Sequence, residues 1–352
     1  MATTTFVDTV TLTSADWFND ADDVVYFGFG PDRIANMSFA ASVGSNALTV
    51  ALKGNDGNDP SSTNPVKIAF RNATAGTGTF SVLTVTAATS IVVSSTSTLG
   101  TSSGVAARLW IVGFNDGGTF RLGIVNCKVS TGVFMLRDNE MYSSTAEGGA
   151  GAADSAGVIY TGTAVTTKAL RILGYIEATE ATAGTWATAP SKVQLMHSGV
   201  ALPGSTVQEK YTVDGAAANG ATTMPCDNTT PQNTEGVEFM TLAVTPSSAI
   251  NILRIESALH LNSGAGGKTA LALFQDTTAD ALASSLSELT NDNFFQQRII
   301  HRMTAGTTSA TTFKLRAGSH GAGTTYFNSN AGTGAYMNGT LNSFIRITEI
   351  MV

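Results

Sequence analysis

The twenty residues from Ala107 to Asn126, ARLWIVGFNDGGTFRLGIVN, constrain the fold most. Two β-branched, aromatic-rich runs flank Asn115–Asp116–Gly117–Gly118, and such a turn sequence between apolar runs predicts a tight antiparallel hairpin. A chain that commits here to strands repeats the same signature nearly everywhere. NALTVALKG from Asn46, VKIAFRN from Val66 and FSVLTVTAATSIVVSS from Phe80 are short period-two runs broken by Gly, Asn, Asp and Pro. TKALRILGYIEAT from Thr167 and APSKVQLMHSGV from Ala189 form a further predicted pair. Strands at this spacing, without long helical patterns between them, point to a sandwich or jelly roll rather than a βαβ sheet.

Residues 201–234 have little periodicity and hold several Pro and Asn residues, which predicts a linker. The β pattern resumes after it. In NILRIESALHLN, Leu253, Ile255, Leu259 and Leu261 share one face while Arg254, Glu256 and His260 share the other, as in a half-buried antiparallel strand. Further strands are expected in TALALFQD, FFQQRIIHRMTAG, TTFKLRAG, GTTYFN and NSFIRITEIMV. Leu282, Leu286 and Leu289 in DALASSLSEL fit one or two helical turns. The expected fold class is all-β, two sandwich or jelly-roll modules in series. Its divisions are an N-terminal segment 1–37, a first module 38–200, the linker 201–234 and a C-terminal jelly roll 235–352.

One stretch departs from this texture. In SADWFNDADDVVYFGFG, residues 14–30, Trp17, Ala21, Val24 and Val25 fall on one helical face, Thr13 and Asp16 suit a helix start, and Gly28 and Gly30 end it. A helix this short is marginal alone in water, so its aromatic face is expected to bury against something else.

Composition narrows the function classes. Of 352 residues only 13% are charged and the net charge is -7, which disfavours nucleic acid and anionic membranes as partners. No apolar run approaches the ~20 residues of a spanning helix. The opening MATTTFVDTV has neither the basic nor the apolar region of a signal peptide, so assembly in the cytoplasm is expected. Cys127 and Cys226 are far apart and fit plain thiols.

No motif nominates a catalytic centre. NSGAGGKT, Asn262–Thr269, has Asn where a phosphate-binding loop needs its first Gly, and strand-like residues follow it, so a turn between antiparallel strands is expected. GFGPDR from Gly28 lacks the third Gly of a dinucleotide site and reads as a chain turn. Asp20, Asp22 and Asp23, and likewise Asp56 and Asp59, fall short of a calcium loop. The GNDGND run reads as a turn, because Asn, Asp and Gly favour turns on their own account. His197, His260, His301 and His320 have no metal-ligand spacing; His260 and His301, both read on polar strand faces, could at most meet around a symmetry axis. Glu177, Glu180, Glu238 and Glu256 are the sparse candidates for a carboxylate pair. The expectation is therefore a non-enzyme with no cofactor and no metal.

TLTSADWFNDADDVVYFGFG resembles the segment near the start of many tailed-bacteriophage tail-fibre and tailspike proteins. There an Ala-x-Trp-[Leu/Phe]-Asn-Asp core, here Ala15, Trp17, Phe18, Asn19 and Asp20, precedes a Val-Tyr, here Val25 and Tyr26. Ala21 stands where an aliphatic such as Val is more usual. The strands from Ser45 to Gly199 look like a β module of phage appendage proteins. TTFKLRAGSHGAGTTYFNSN and GTLNSFIRITEIMV are similar to the closing strands of trimeric C1q/TNF-like heads.

The resemblance implies a virion structural protein, an intertwined homotrimer whose N-terminal helix attaches to phage tail or capsid proteins through Trp17, Phe18, Asn19, Asp20, Val24, Val25 and Tyr26. It implies a C-terminal module that contacts the host surface, a glycan first of all, with Tyr326 and Tyr336 in Gly-rich loops as receptor-binding candidates. A capsid head fibre or decoration protein is the alternative reading. A capsule depolymerase is a third, opposed by the absence of a β-helix repeat.

Overall fold

The computed structural model describes residues 33–72, 79–147, 154–264, 267–289 and 294–352. Those residues are all-β: strands joined by turns, with one 3-10 turn at Tyr336–Gly339 and no α-helix among them. The helix expected between Thr13 and Gly28 lies outside the described residues, as do all seven residues assigned to virion attachment. The chain divides into two compact units between Val200 and Ala201.

The N-terminal unit is a sandwich. One layer is a sheet centred on Ala106–Asp116 and Thr119–Asn126, with Lys168–Thr179 on the far side of the first and Lys192–Leu195 at its edge. The expected hairpin forms in register, Asp116 opposite Thr119. Gly117 and Gly118 take φ of 62° and 93°, the left-handed conformations that a two-residue hairpin turn requires.

Two three-stranded sheets supply the opposing layer. Ser38–Gly44, Ala47–Lys53 and Thr89–Val93 form one, and Ile34–Ala35, Val66–Arg71 and Phe80–Val85 the other. Leu48, Val50, Leu52, Ile68 and Phe70 from these sheets meet Leu109, Ile111, Leu122 and Ile124 in one core. Alternate residues explain the pattern: Leu48, Val50 and Leu52 point inward while Thr49 and Ala51 point away. Trp186 closes this core, buried, with its indole N–H donating to the Ser97 carbonyl at 2.9 Å.

Among its described residues the C-terminal unit has eight long strands: Thr206–Asp214, Val237–Val244, Ile252–Ser263, Gly267–Gln275, Ala283–Leu289, Phe294–Thr304, Thr311–Ser319 and Ser343–Ile350. Numbered along the chain, one sheet runs first, eighth, third, sixth, and the other second, seventh, fourth, fifth. Strands that are sequence neighbours sit in opposite sheets through most of the unit, which is jelly-roll winding. Leu253, Ile255, Leu259 and Leu261 do share the inward face, packing with Leu271, Leu273, Phe313, Leu315, Ile345 and Ile347.

Three expectations are corrected here. Residues 201–234 are not a linker: Thr206–Asp214 pairs with the last strand from Thr206 opposite Ile350 to Asp214 opposite Ser343. Met224, farther along, is buried against Ala270, Ala272 and Phe274 on the outer side of the second sheet. DALASSLSEL is no helix, because Ala283–Leu289 pairs with Gly267–Gln275, and the open edge of that strand decides the conformation over the leucine spacing. The strands on either side of the turn expected at Asn262–Thr269, Ile252–Ser263 and Gly267–Gln275, are not paired with each other but belong to different sheets.

Candidate functional site

Residues directly opposite on neighbouring strands project on the same side of a sheet, so register builds the site. On the outward face of the first C-terminal sheet, Asn219, Tyr326, Asn262 and Phe294 stand in one row across four strands. Tyr326, one of the two receptor-binding candidates, is half-buried in this row. Gly264 leaves space for its ring, since a Cβ there would lie 2.9 Å from Tyr326 Cε2.

Tyr336, the other candidate, opens the 3-10 turn and meets Phe294 edge-on at 5.0 Å between ring centroids. Phe294 in turn stacks on the His260 imidazole at 5.8 Å and 2°. Register and the returning 329–342 loop therefore bring Tyr326 and Tyr336 to the same patch, anchored by the Tyr336 amide donating to the Asn328 carbonyl at 3.0 Å.

The polar groups of the patch carry no charge. Burial holds the His260 pKa below its ordinary value, with the Asn342 backbone opposing in part. Its Nε2 lies 3.0 Å from Gln296 Nε2, which makes the amide the donor and the imidazole the neutral acceptor. Asn262 is fully buried, and neither its Oδ1 nor its Nδ2 has a partner among the described residues. Aromatic edges, the exposed Gln296 amide and the two tyrosine hydroxyls suit an uncharged, hydroxyl-bearing ligand that offers both C–H faces and hydrogen-bonding groups.

His301 does not join His260. It sits opposite Ile255, on the inward face with Ile299 and Met303, so the two histidines point to opposite sides of the sheet. Asp56 accepts from the Asn58 amide and from the Asn58 and Asn64 side chains, while Asp59 pairs with Lys53 at 2.7 Å.

The four glutamates go to separate partners. Glu177 bonds Arg108 at 2.7 Å and Glu256 bonds Arg346 at 2.6 Å. Glu238 lies 3.6 Å from Arg316, and Glu180 takes the Thr101 hydroxyl and the Gly184 amide. Cys127 is buried and Cys226 half-buried, both as free thiols whose pKa values burial pushes up. Sequence reasoning singled out the two tyrosines and passed over Phe294, Asn262 and Gln296, which the fold brings beside them; the run FFQQR was the available signal.

No family model matches the chain, and no curated protein matches it. Among solved structures, the Eiger TNF of S. frugiperda shares 7% identity over 40% of this chain and 92% of that one, at a TM-score of 0.24. The infectious bursal disease virus Gt strain structure shares 12% over 94% and 82%, at 0.26. The CBM22-1–CBM22-2 tandem of Paenibacillus barcinonensis Xyn10C shares 9% over 90% and 91%, at 0.22. TM-scores of this size carry no argument about kinship or role, and the jelly-roll assignment rests on the strand order itself.

Proposed function

We propose that the chain is a virion structural protein, a tail fibre or spike that assembles as a homotrimer, attaches to the phage particle through residues 1–37 and contacts the host surface with its C-terminal unit. The observation that carries the assembly is an unequal treatment of two sheet faces. Met224 and its neighbours cover part of the outer side of one C-terminal sheet, which exposes only Leu286 among its described large apolar residues, whereas the outer side of the other leaves Tyr211 at 68% exposure, Val213 at 55% and Ile300 at 69%. Apolar side chains gathered on one face fit a subunit whose sheet is covered by its copies.

The attachment segment rests on the resemblance of Ala15–Tyr26 to fibre N-termini. Host contact falls to the patch of Tyr326, Tyr336, Phe294 and Gln296, whose uncharged chemistry suits a neutral surface glycan. The role is binding without catalysis.

The purified full-length chain is the test. It is expected to coat host cells and block adsorption of the phage, and Tyr336→Ala is expected to weaken both. Failure of the protein to bind any host cell that the phage adsorbs to contradicts the host-contact reading.

A further inference from the structure

The outward face of the C-terminal sheet has a pattern that runs from edge to edge. Across its four strands, the row Tyr211–Arg346–Glu256–Ile300 lies between Val213–Phe344–Ala258–Arg298 and Glu209–Thr348–Arg254–Arg302. One edge therefore presents Glu209, Tyr211 and Val213, and the opposite edge presents Arg302, Ile300 and Arg298. Glu209, Tyr211 and Val213, with Phe344 and Arg346, line a groove of about 340 Å³. Ile300 is an exposed apolar knob between two exposed arginines.

The middle of the sheet is already satisfied. Glu256 lies between Arg346 at 2.6 Å and Arg254 at 3.1 Å, so both guanidiniums are held by a carboxylate within the chain. The unmatched features are those at the edges, and they are complementary: an aromatic groove that carries Glu209 on one side, and an aliphatic knob flanked by arginines on the other. Within one chain they stand three inter-strand steps apart, about 14 Å, and cannot meet.

We propose that the occupant of the groove is a second copy of this chain: Ile300 of one copy seats against Tyr211, Val213 and Phe344 of the next, with its flanking arginines toward Glu209 and the Tyr211 ring. A contact between different surfaces of identical chains is heterologous, and it closes into a ring when the rotation allows. The number three rests on the homotrimer reading above; the knob and the groove do not depend on it. The aromatic patch at Asn262 lies about 20 Å from Glu256 along the same strand, so the contact leaves it a separate site.

The test uses the full chain, Ile300→Lys and Val213→Lys, each by light scattering beside a thermal melt. Both residues are exposed in the single chain, so both variants are expected to stay folded and melt in one cooperative transition, lowered from the wild type only by loss of the contact. Each places an ammonium where an apolar group should be buried, so each is expected to fall from a three-chain mass to a single-chain mass. Mixed in equal amounts, they are expected to give a two-chain species, because the intact knob of one meets the intact groove of the other. A variant that keeps the wild-type mass, or a mixture that stays wholly single-chain, overturns the knob-and-groove contact. A wild-type chain that is itself single overturns the homotrimer reading, and the proposal with it.

Discussion

Asn251 Nδ2 donates to Glu349 Oε1 at 2.6 Å in the interior of the C-terminal unit, where the glutamate is fully buried. The same carboxylate accepts from the Ser247 amide at 2.9 Å, the Ser247 hydroxyl at 2.7 Å and the Gln208 side chain at 2.5 Å. It thereby ties the first and last strands to the turn before Ile252–Ser263. Burial alone would raise its pKa, but the donors outweigh burial and the value lies below the ordinary 4.5.

A depressed carboxylate stabilises the fold fully above its unfolded pKa and ceases to do so as pH falls through the folded value. Glu349→Gln replaces an acceptor by an amide that faces donors, and it is expected to cost about 2–4 kcal/mol at pH 7. The gap between wild type and variant should close below about pH 4.5. Urea unfolding at stepwise pH measures it.

Glu180 in the N-terminal unit behaves oppositely. Burial raises its pKa, the Thr101 hydroxyl and the Gly184 amide pull it down, and the charge of Asp154 adds to the rise, leaving it above 4.5. A raised acid favours the fold fully below its unfolded pKa, and that contribution is lost as pH rises through the folded value. Wild type is expected to gain stability relative to Glu180→Gln as pH is lowered from 7 toward 4.5. Paired thermal melts across that window check the sign.

Trp186→Phe keeps most of the apolar volume and removes the donor to the Ser97 carbonyl. The expected loss is about 1–3 kcal/mol, the cost of a buried acceptor left unpaired. Trp186→Ala should cost about 3–5 kcal/mol, since it opens a cavity beneath the core sheets as well. Denaturant unfolding of both variants separates the hydrogen bond from the packing.

Gly174 sits at the bulge where Lys168–Thr179 pairs with both neighbours, and a Cβ there would run into the Gln194 carbonyl. Gly174→Ala is expected to displace the edge strand Lys192–Leu195 and to speed hydrogen exchange at Gln194 and Leu195 while the core hairpin stays protected. Amide exchange by mass spectrometry reads both.

The legible parts of the fold were those where one chain segment carries its own instruction. Asn115–Gly118 specifies a hairpin turn locally, and the alternation in Leu253–Leu261 names the buried face because the opposite face is polar. The edge strand Thr206–Asp214 was illegible for the opposite reason. Its apolar Tyr211 and Val213 lie on the exposed side, and its partner is the last strand, more than a hundred residues away. His301 was misplaced because Ile299 and Ile300 are adjacent: one is core and the other surface, and nothing local says which.

The site followed the same rule. Tyr326 and Tyr336 are recognisable as aromatics beside Gly-rich runs, but Tyr326 lies on a strand, and the convergence of the two on Phe294 and Asn262 depends on three strands meeting in register.

The central claim is that a β body is joined to a phage particle by the segment ahead of it. Particles assembled without this protein, incubated with the full-length chain or with a version starting at Ser38 and then pelleted, test it most directly. The account predicts that only the full-length chain sediments with the particles and restores adsorption. Equal recovery of both forms, or of neither, contradicts it.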